Sequence, residues 1–281
     1  MLIEKLVANG HDVKVVSSNT EKAEEIKKLK ATPLIGSLED REFVSQSFKG
    51  ADAVYTMVPP DFSVSDYYDF SDKLHENYVQ AIKQNNIQHV VNLSSIGVAL
   101  AGKAPLTRYY DLEKKLDKIP GLNVVHLRPA MFYTNFYGSL ELVKRQGIIG
   151  HNVPETVDLL MTHPSDIAET AFLLLNSLSF SGHQIRYVIS DIKNGNEIAK
   201  ILGEATNKPL TWVEFPDDAL LTGLMQSGFT RDTAETLVVA AGKAIRDGLF
   251  DEFKNDKYKL LEARKFAEFA KEFGKAYEYS S

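Results

Sequence analysis

Apolar positions along the chain change period repeatedly. Leu2, Ile3, Leu6 and Val7 fall on one helical face, and Gly10 stands just past their end. Asp12 to Val16 then reads as a short β-branched strand, 20–30 as a polar helix, and Thr32 to Gly36 as a second strand. A helix over 39–48 precedes the apolar run 53–58, which Pro59-Pro60 ends. Tyr67, Phe70, Leu74, Tyr78, Ala81 and Ile82 keep the helical period, and Asn85-Asn86 turns the chain. Strand 89–93 runs into Ser94-Ser95, 108–116 reads as a helix, and strand 123–127 is stopped by Arg128-Pro129.

Strand and helix alternate in this way through the first half. The strands are nearly continuous apolar runs, as a parallel sheet covered by helices on both faces requires. The fold expected is therefore α/β and Rossmann-like, with a smaller, mostly helical C-terminal substrate region. Residues 1–150 form the nucleotide-binding part and 151–281 the remainder, which partly returns to the sheet. In that second part 165–175 reads as a helix capped by Ser165, 184–189 as a strand, 195–202 as a helix and 210–215 as a strand carrying the single tryptophan, Trp212. Phe266, Phe269, Ala270 and Phe273 form an apolar stripe near the end.

Composition narrows the chemistry. A length of 281 residues suffices for a large core without staples, and no cysteine is present, which excludes disulfides, thiolate catalysis and cysteine-bound metal. A net charge of −6 with no long basic run disfavours nucleic acid. No apolar run reaches a membrane-spanning length and the first residues lack the build of a signal peptide, so a cytoplasmic protein is expected. The seven histidines are scattered, without metal-ligand spacing. Gly97 to Ala104 approximates a phosphate-binding P-loop, but Ala104 stands where magnesium needs Ser or Thr, and Pro105 follows where a helix continues.

A stronger constellation joins Ser94-Ser95, at the carboxyl end of a parallel strand, to Tyr110 and Lys114, four apart on the next helix. An ammonium beside a phenol lowers its pKa, and the phenol then protonates a carbonyl oxygen as hydride arrives, with a serine hydroxyl holding the same oxygen. With 12 tyrosines in the chain, such a pair is also about what chance supplies. Only its position after Ser94-Ser95 singles it out.

Several segments, in order, resemble the NmrA-like proteins, atypical members of the short-chain dehydrogenase/reductase superfamily. They are Phe48 to Tyr55, Ala81-Ile82, His89 to Gly97, Leu112 to Leu116, Arg128 to Phe132 with Asn135, Asp166 to Ala168 and Glu197 to Ala199. The resemblance spans nearly the whole chain. It implies binding of NADP(H) or NAD(H), with Val58, Pro59 and Pro60 along the cofactor and Ser94 near the nicotinamide. Pro129, Ala130, Met131 and Phe132 would cover the ring. It also offers an alternative register, one residue away, in which Tyr109 and Glu113 replace Tyr110 and Lys114. Phe132, Tyr133, Phe136 and Tyr137 either line a flat substrate pocket or pack in the core.

Two departures from the pattern stand out. After the second strand of the usual fold come Ser17, Ser18 and Asn19, with no acid for the NAD ribose; this tilts toward NADP, with Lys22 within reach of a 2′-phosphate. The usual opening strand and glycine turn are not found ahead of the first helix. Unpaired backbone groups left in a central slot cost about 1–3 kcal/mol each. Roughly 15 residues ahead of Met1 are therefore expected. Otherwise strands 12–16 and 53–58 close up and pair directly, with cofactor binding impaired.

Three functions follow. The first is an NAD(P)H-dependent reductase of a small carbonyl or quinone. The second is a non-catalytic NADP(H) sensor that regulates a protein partner. The third is a sugar-nucleotide epimerase, which needs a competent Tyr and Lys pair.

Overall fold

The computed structural model describes residues 1–100, 108–253 and 262–279. The P-loop-like stretch from Ala101 to Pro105 lies outside the described residues.

The alternation expected in the first half is present. Helix α1 (Leu2–Ala8) is followed by β1 (Lys14–Ser17), α2 (Lys22–Lys28), β2 (Thr32–Ile35), α3 (Arg41–Ser47) and β3 (Ala53–Thr56). Then come α4 (Tyr67–Gln84), β4 (His89–Leu93), α5 (Arg108–Asp117) and β5 (Asn123–Pro129). Helix α3 starts where Asp40 accepts from the backbone of Glu42 and Phe43, satisfying two orphan donors. Strand β5 continues through Arg128 and Pro129 rather than stopping before them. A proline at a strand end removes no needed donor, and Pro129 still lies opposite Val188.

The second half holds more strand than its sequence pattern suggests. Strands β6 (Met131–Phe132), β7 (Ile148–His151) and β8 (Asp158–Thr162) flank α6 (Leu140–Gln146). Helix α7 (Pro164–Ser177) leads to β9 (His183–Val188), β10 (Asp191–Asn194), α8 (Gly195–Thr206) and β11 (Thr211–Glu214). Helices α9 (Asp217–Gln226), α10 (Arg231–Ala234), α11 (Ala240–Arg246) and α12 (Phe266–Tyr279) complete the described chain. The cap of α7 is His163, whose ring accepts from the Ser165 backbone at 3.0 Å, and not Ser165 itself. Pro164 takes the first helical position, where its fixed φ suits a helix, and so moves the cap upstream.

Strands β3, β4, β5 and β9 form one parallel sheet in that order, so the chain does return to the first sheet through β9. Strands β1 and β2 pair in parallel in a sheet of their own. Direct closure of β1 onto β3 is not formed among the described residues. Helices α3, α4 and α5 bury Val44, Leu74, Ile82, Leu112 and Leu116 on one side of the large sheet. Ile167 and Ala171 of α7, with Leu2 of α1, cover the other side. A third core gathers Leu159, Leu160, Met161, Trp212 and the phenylalanine stripe of α12.

One polar chain crosses the large sheet. Thr56 Oγ1 donates to Asn92 Oδ1 at 3.0 Å, Asn92 Nδ2 lies 3.1 Å from His126 Nδ1, and His126 Nε2 lies 3.0 Å from Asp117. Thr56 is opposite Asn92 and Asn92 opposite His126 in the strand register. All three are buried.

Candidate functional site

The parallel strands β3, β4 and β5 end together, and open α/β sheets bind ligands beyond such carboxyl edges. Here β3 delivers Val58 and Pro59, β4 delivers Ser94, and β5 runs into Ala130 to Phe132. Val58, Ser94, Pro129 and Ala130 are buried, while Met131 and Phe132 are half-buried. Backbone contacts fix these ends. Met57 accepts from the Tyr78 hydroxyl at 2.6 Å, Ser94 N–H donates to Leu127 at 2.7 Å, and Ala130 N–H donates to Thr162 Oγ1 at 2.8 Å.

The polar centre of this edge is a chain of buried groups. The Ser94 hydroxyl donates to Glu113 Oε1 at 2.5 Å. Arg128 grips the same carboxylate with two bonds, Nε to Oε1 at 3.0 Å and Nη2 to Oε2 at 2.6 Å. Its Nη1 reaches the Tyr187 hydroxyl at 3.2 Å. A bidentate pair of this kind fixes both side chains, and removing either partner strands a charge in the interior.

The two registers offered by the sequence are therefore placed differently. Glu113 faces Ser94. Lys114 is exposed, its ammonium 5.3 Å from the centre of the half-buried Tyr110 ring. The Tyr109 hydroxyl hydrogen-bonds to Tyr67, and burial, then Tyr67, push its pKa upward. No Ser–Tyr–Lys triad is assembled among the described residues.

Of the aromatic set, Tyr133 and Phe136 are core residues. Tyr133 donates to Arg264 O at 3.1 Å and packs against Phe266 and Phe269, and Phe136 packs against Phe266. Tyr137 stacks on Phe273. Phe132 and Tyr137 are half-buried, and of the two Phe132 directly follows the end of β5 at Ala130 and Met131.

At the far end of the edge, Ser17 Oγ accepts from Asn19 N–H at 3.2 Å and Asn19 Oδ1 accepts from Glu21 N–H at 2.8 Å. This leaves Ser18 and Lys22 exposed beside the turn. Pro60 is also exposed. Val58, Pro129 and Ala130, buried and apolar at these strand ends, are of the kind that suits an uncharged dihydropyridine ring, and the open Ser18 and Lys22 are of the kind that suits a ribose phosphate. The residues thus fit the two ends of a nicotinamide dinucleotide, and no pyrophosphate cradle is formed by the residues described.

Arg128 and Glu113 were not legible as a pair. The available signal was Arg128 at the end of an apolar strand and Glu113 next to the inward-facing Leu112 of the helix.

Among the described residues no helix is long and apolar enough to cross a membrane. No curated protein matches the sequence significantly. Solved structures do match in fold. Triphenylmethane reductase from Citrobacter sp. is 19% identical with a TM-score of 0.80, covering 98% of this chain and 94% of that one. An NADPH-dependent quinone oxidoreductase from Escherichia coli, complexed with NADPH, is 17% identical with a TM-score of 0.78, covering 97% and 94%. NmrA, a negative transcriptional regulator in complex with NADP, is 17% identical with a TM-score of 0.70, covering 99% and 92%. At these identities the likeness is one of fold. The sequence itself matches over residues 1–170 the family described as NAD(P)H-binding, and the chain belongs to that family, with the fold of its NmrA-like relatives.

Proposed function

We propose that the protein is a reductase that passes hydride from NADPH to a quinone. The observation that carries this reading is the direction of the Ser94 hydrogen bond. Its one proton points to Glu113, whose carboxyl oxygens also accept from Arg128, so Ser94 Oγ has lone pairs and no donor left to offer. The Tyr109 hydroxyl is engaged by Tyr67 in the helix packed beside it. A simple ketone or aldehyde needs an acid as hydride arrives, because an alkoxide is a poor product. A quinone does not: hydride addition yields a delocalised hydroquinone anion, which takes its proton from water. The balance is NADPH, quinone and one proton to NADP⁺ and hydroquinone.

When bound, the cofactor supplies the hydride. The chain's own residues hold and screen it. Val58, Pro59 and the segment from Pro129 to Phe132 form the shelf for the ring and keep water from it. Ser94 orients the ring's polar edge by accepting a hydrogen bond, while Glu113 and Arg128 position Ser94. Ser18, Asn19 and Lys22, without an acid among them, favour a phosphorylated ribose, hence NADPH over NADH. The quinone and dye reductases of the same fold support this class of chemistry. An epimerase would need the Tyr110–Lys114 pair beside Ser94, and Ser94 is bonded to Glu113 while Lys114 is exposed.

The test is calorimetry with NADPH and NADH, followed by oxidation of bound NADPH in the presence of a quinone or a simple aldehyde. Turnover with the quinone and little with the aldehyde is expected. Equal turnover of both would sink the acid-free reading. Tight binding with no turnover of any acceptor would replace it with the cofactor-sensing reading, as for the NmrA regulator whose fold it shares.

A further inference from the structure

The loop leaving β3 carries large apolar side chains that the core does not take. Met57 is 37% exposed and Phe62 40% exposed, although each lies within three residues of the Val58-Pro59 shelf. Helix α9 shows the same anomaly. Leu220, Leu221, Leu224 and Met225 fall on one face at i, i+1, i+4 and i+5, yet no residue of α9 is buried and Met225 is 40% exposed. Past its end, Gly228 adopts φ +97°, and Phe229 N–H returns to Leu224 O at 3.2 Å. That turn sets the Phe229 ring 4.3 Å from the Phe62 ring, centre to centre. Phe62 and Phe229 thus form an aromatic pair three residues past the Val58-Pro59 segment, and Phe229 is tied by its backbone to the apolar face of α9 at Leu224.

This pair is held in place. Thr230 N–H donates to Phe62 O at 3.0 Å, Thr230 Oγ1 to Val64 O at 2.8 Å, and the buried Thr233 Oγ1 to Phe62 O at 3.0 Å. Tyr67 N–H, at the start of α4, donates to Asp232 Oδ2 at 2.8 Å. Four bonds therefore lock the loop after β3 to the segment after α9. A surface cluster needed only for packing would bury its rings; this one is fixed with its rings still open. The flanking segments are acidic, with Asp61 in the same loop, Asp66 capping α4, and Asp69 and Asp218 in the first turns of α4 and α9.

The geometry points to a specificity lip for the hydride acceptor, built by Phe62 and Phe229, that selects uncharged planar molecules of two or more fused rings over single-ring ones. The inference rests on the quinone reductase reading and deepens it. The outer ring of the acceptor stacks on the Phe62–Phe229 pair while its reducible ring reaches the shelf at Val58. Offset or tilted aromatic contacts contribute about 0.5–1.5 kcal/mol each, so losing one lowers affinity by roughly twofold to tenfold. The acidic flanks exclude sulfonated analogues.

The experiment compares wild type, Phe62→Ala and Phe229→Ala with 2-methyl-1,4-naphthoquinone, its sulfonated analogue and 1,4-benzoquinone. Binding of each oxidised quinone is measured by calorimetry and turnover in parallel. Expected is a several-fold loss of naphthoquinone affinity in both variants, a matching rise in KM, and unchanged benzoquinone and NADPH affinities. The exposed site of Phe62 tolerates truncation, and Met225→Ser serves as a second, exposed probe with the same direction. Equal losses for both quinones, or none for either, would overturn the lip. Naphthoquinone binding lost in the variants without turnover in wild type would keep the lip and sink the reductase reading.

Discussion

The Ser94 hydroxyl lies 2.5 Å from Glu113 Oε1, and the same oxygen accepts Arg128 Nε at 3.0 Å. Three buried groups from β4, α5 and β5 therefore share one carboxylate, and the removal of each has a different cost. Arg128→Met leaves Glu113 charged and unpaired in the interior, which costs about 3–5 kcal/mol. Ser94→Ala leaves the ion pair whole and costs about 1 kcal/mol. Urea unfolding of the two variants checks the order, and a Ser94→Ala loss as large as that of Arg128→Met would show that the pair does not organise the site.

The pair Asp217–Arg246 fixes the start of α9 and responds to acid. Two hydrogen bonds from Arg246, at 3.0 and 2.9 Å, hold the Asp217 pKa down to about 2 against the opposing effect of burial. A depressed folded-state pKa contributes stability above the unfolded value, near 4, that is lost as pH falls through about 2. The contribution is about 1 kcal/mol once solvent screening is allowed for. Asp217→Asn should be less stable than wild type at neutral pH, with the gap closing between pH about 4 and about 2. A gap independent of pH in acid unfolding would exclude the ion pair as its source.

His75 sets a second acid response, at higher pH. It is buried in α4, and burial, reinforced by Lys115 and Arg108 and opposed by Asp72 and Glu76, lowers its pKa to about 4. Below the unfolded value, about 6.5, the unfolded chain binds a proton that the folded one refuses, so stability drains as pH falls from about 6.5 to about 4. Up to about 3 kcal/mol is at stake across this window. His75→Gln should flatten the profile there. A slope unchanged in the variant would assign it to another group.

Gly150 is required by sheet geometry. A Cβ at this position of β7 would stand 1.9 Å from the Val213 carbonyl of the paired strand β11. Neither backbone can yield without breaking the pairing, so Gly150→Ala should cost about 1–3 kcal/mol or more. Thermal unfolding checks it; a neutral substitution would mean that the two strands part freely.

The first half of the fold was legible because its strands are short apolar runs, and those of β4 and β5, buried on both faces, stand out most against the amphipathic helices. The second half was less so. Strands β6, β7, β8 and β10 are two to five residues long, too short for a period to show. Ser94 was legible from its place after an apolar strand, but its partner was not. Tyr110–Lys114 and Tyr109–Glu113 differ by one residue, about 100° of helix, and only packing decides which faces inward. Leu112 and Leu116 settle it: both are buried, which carries Glu113 in with them and turns Lys114 out. The Phe62–Phe229 contact joins residues far apart in sequence across two loops, where no periodicity links them.

The polar chain through Thr56, Asn92 and His126 acts as a gauge of strand alignment. Parallel strands of mostly Val and Leu slide past one another with little change in apolar burial, and non-local pairings of this kind form slowly. A slip of one residue would set the Asn92 amide among aliphatic groups with no partner, at a cost near that of an unmade hydrogen bond. Misaligned sheets are thereby rejected while the chain is still folding, and the edge that carries Ser94 is built at one height only.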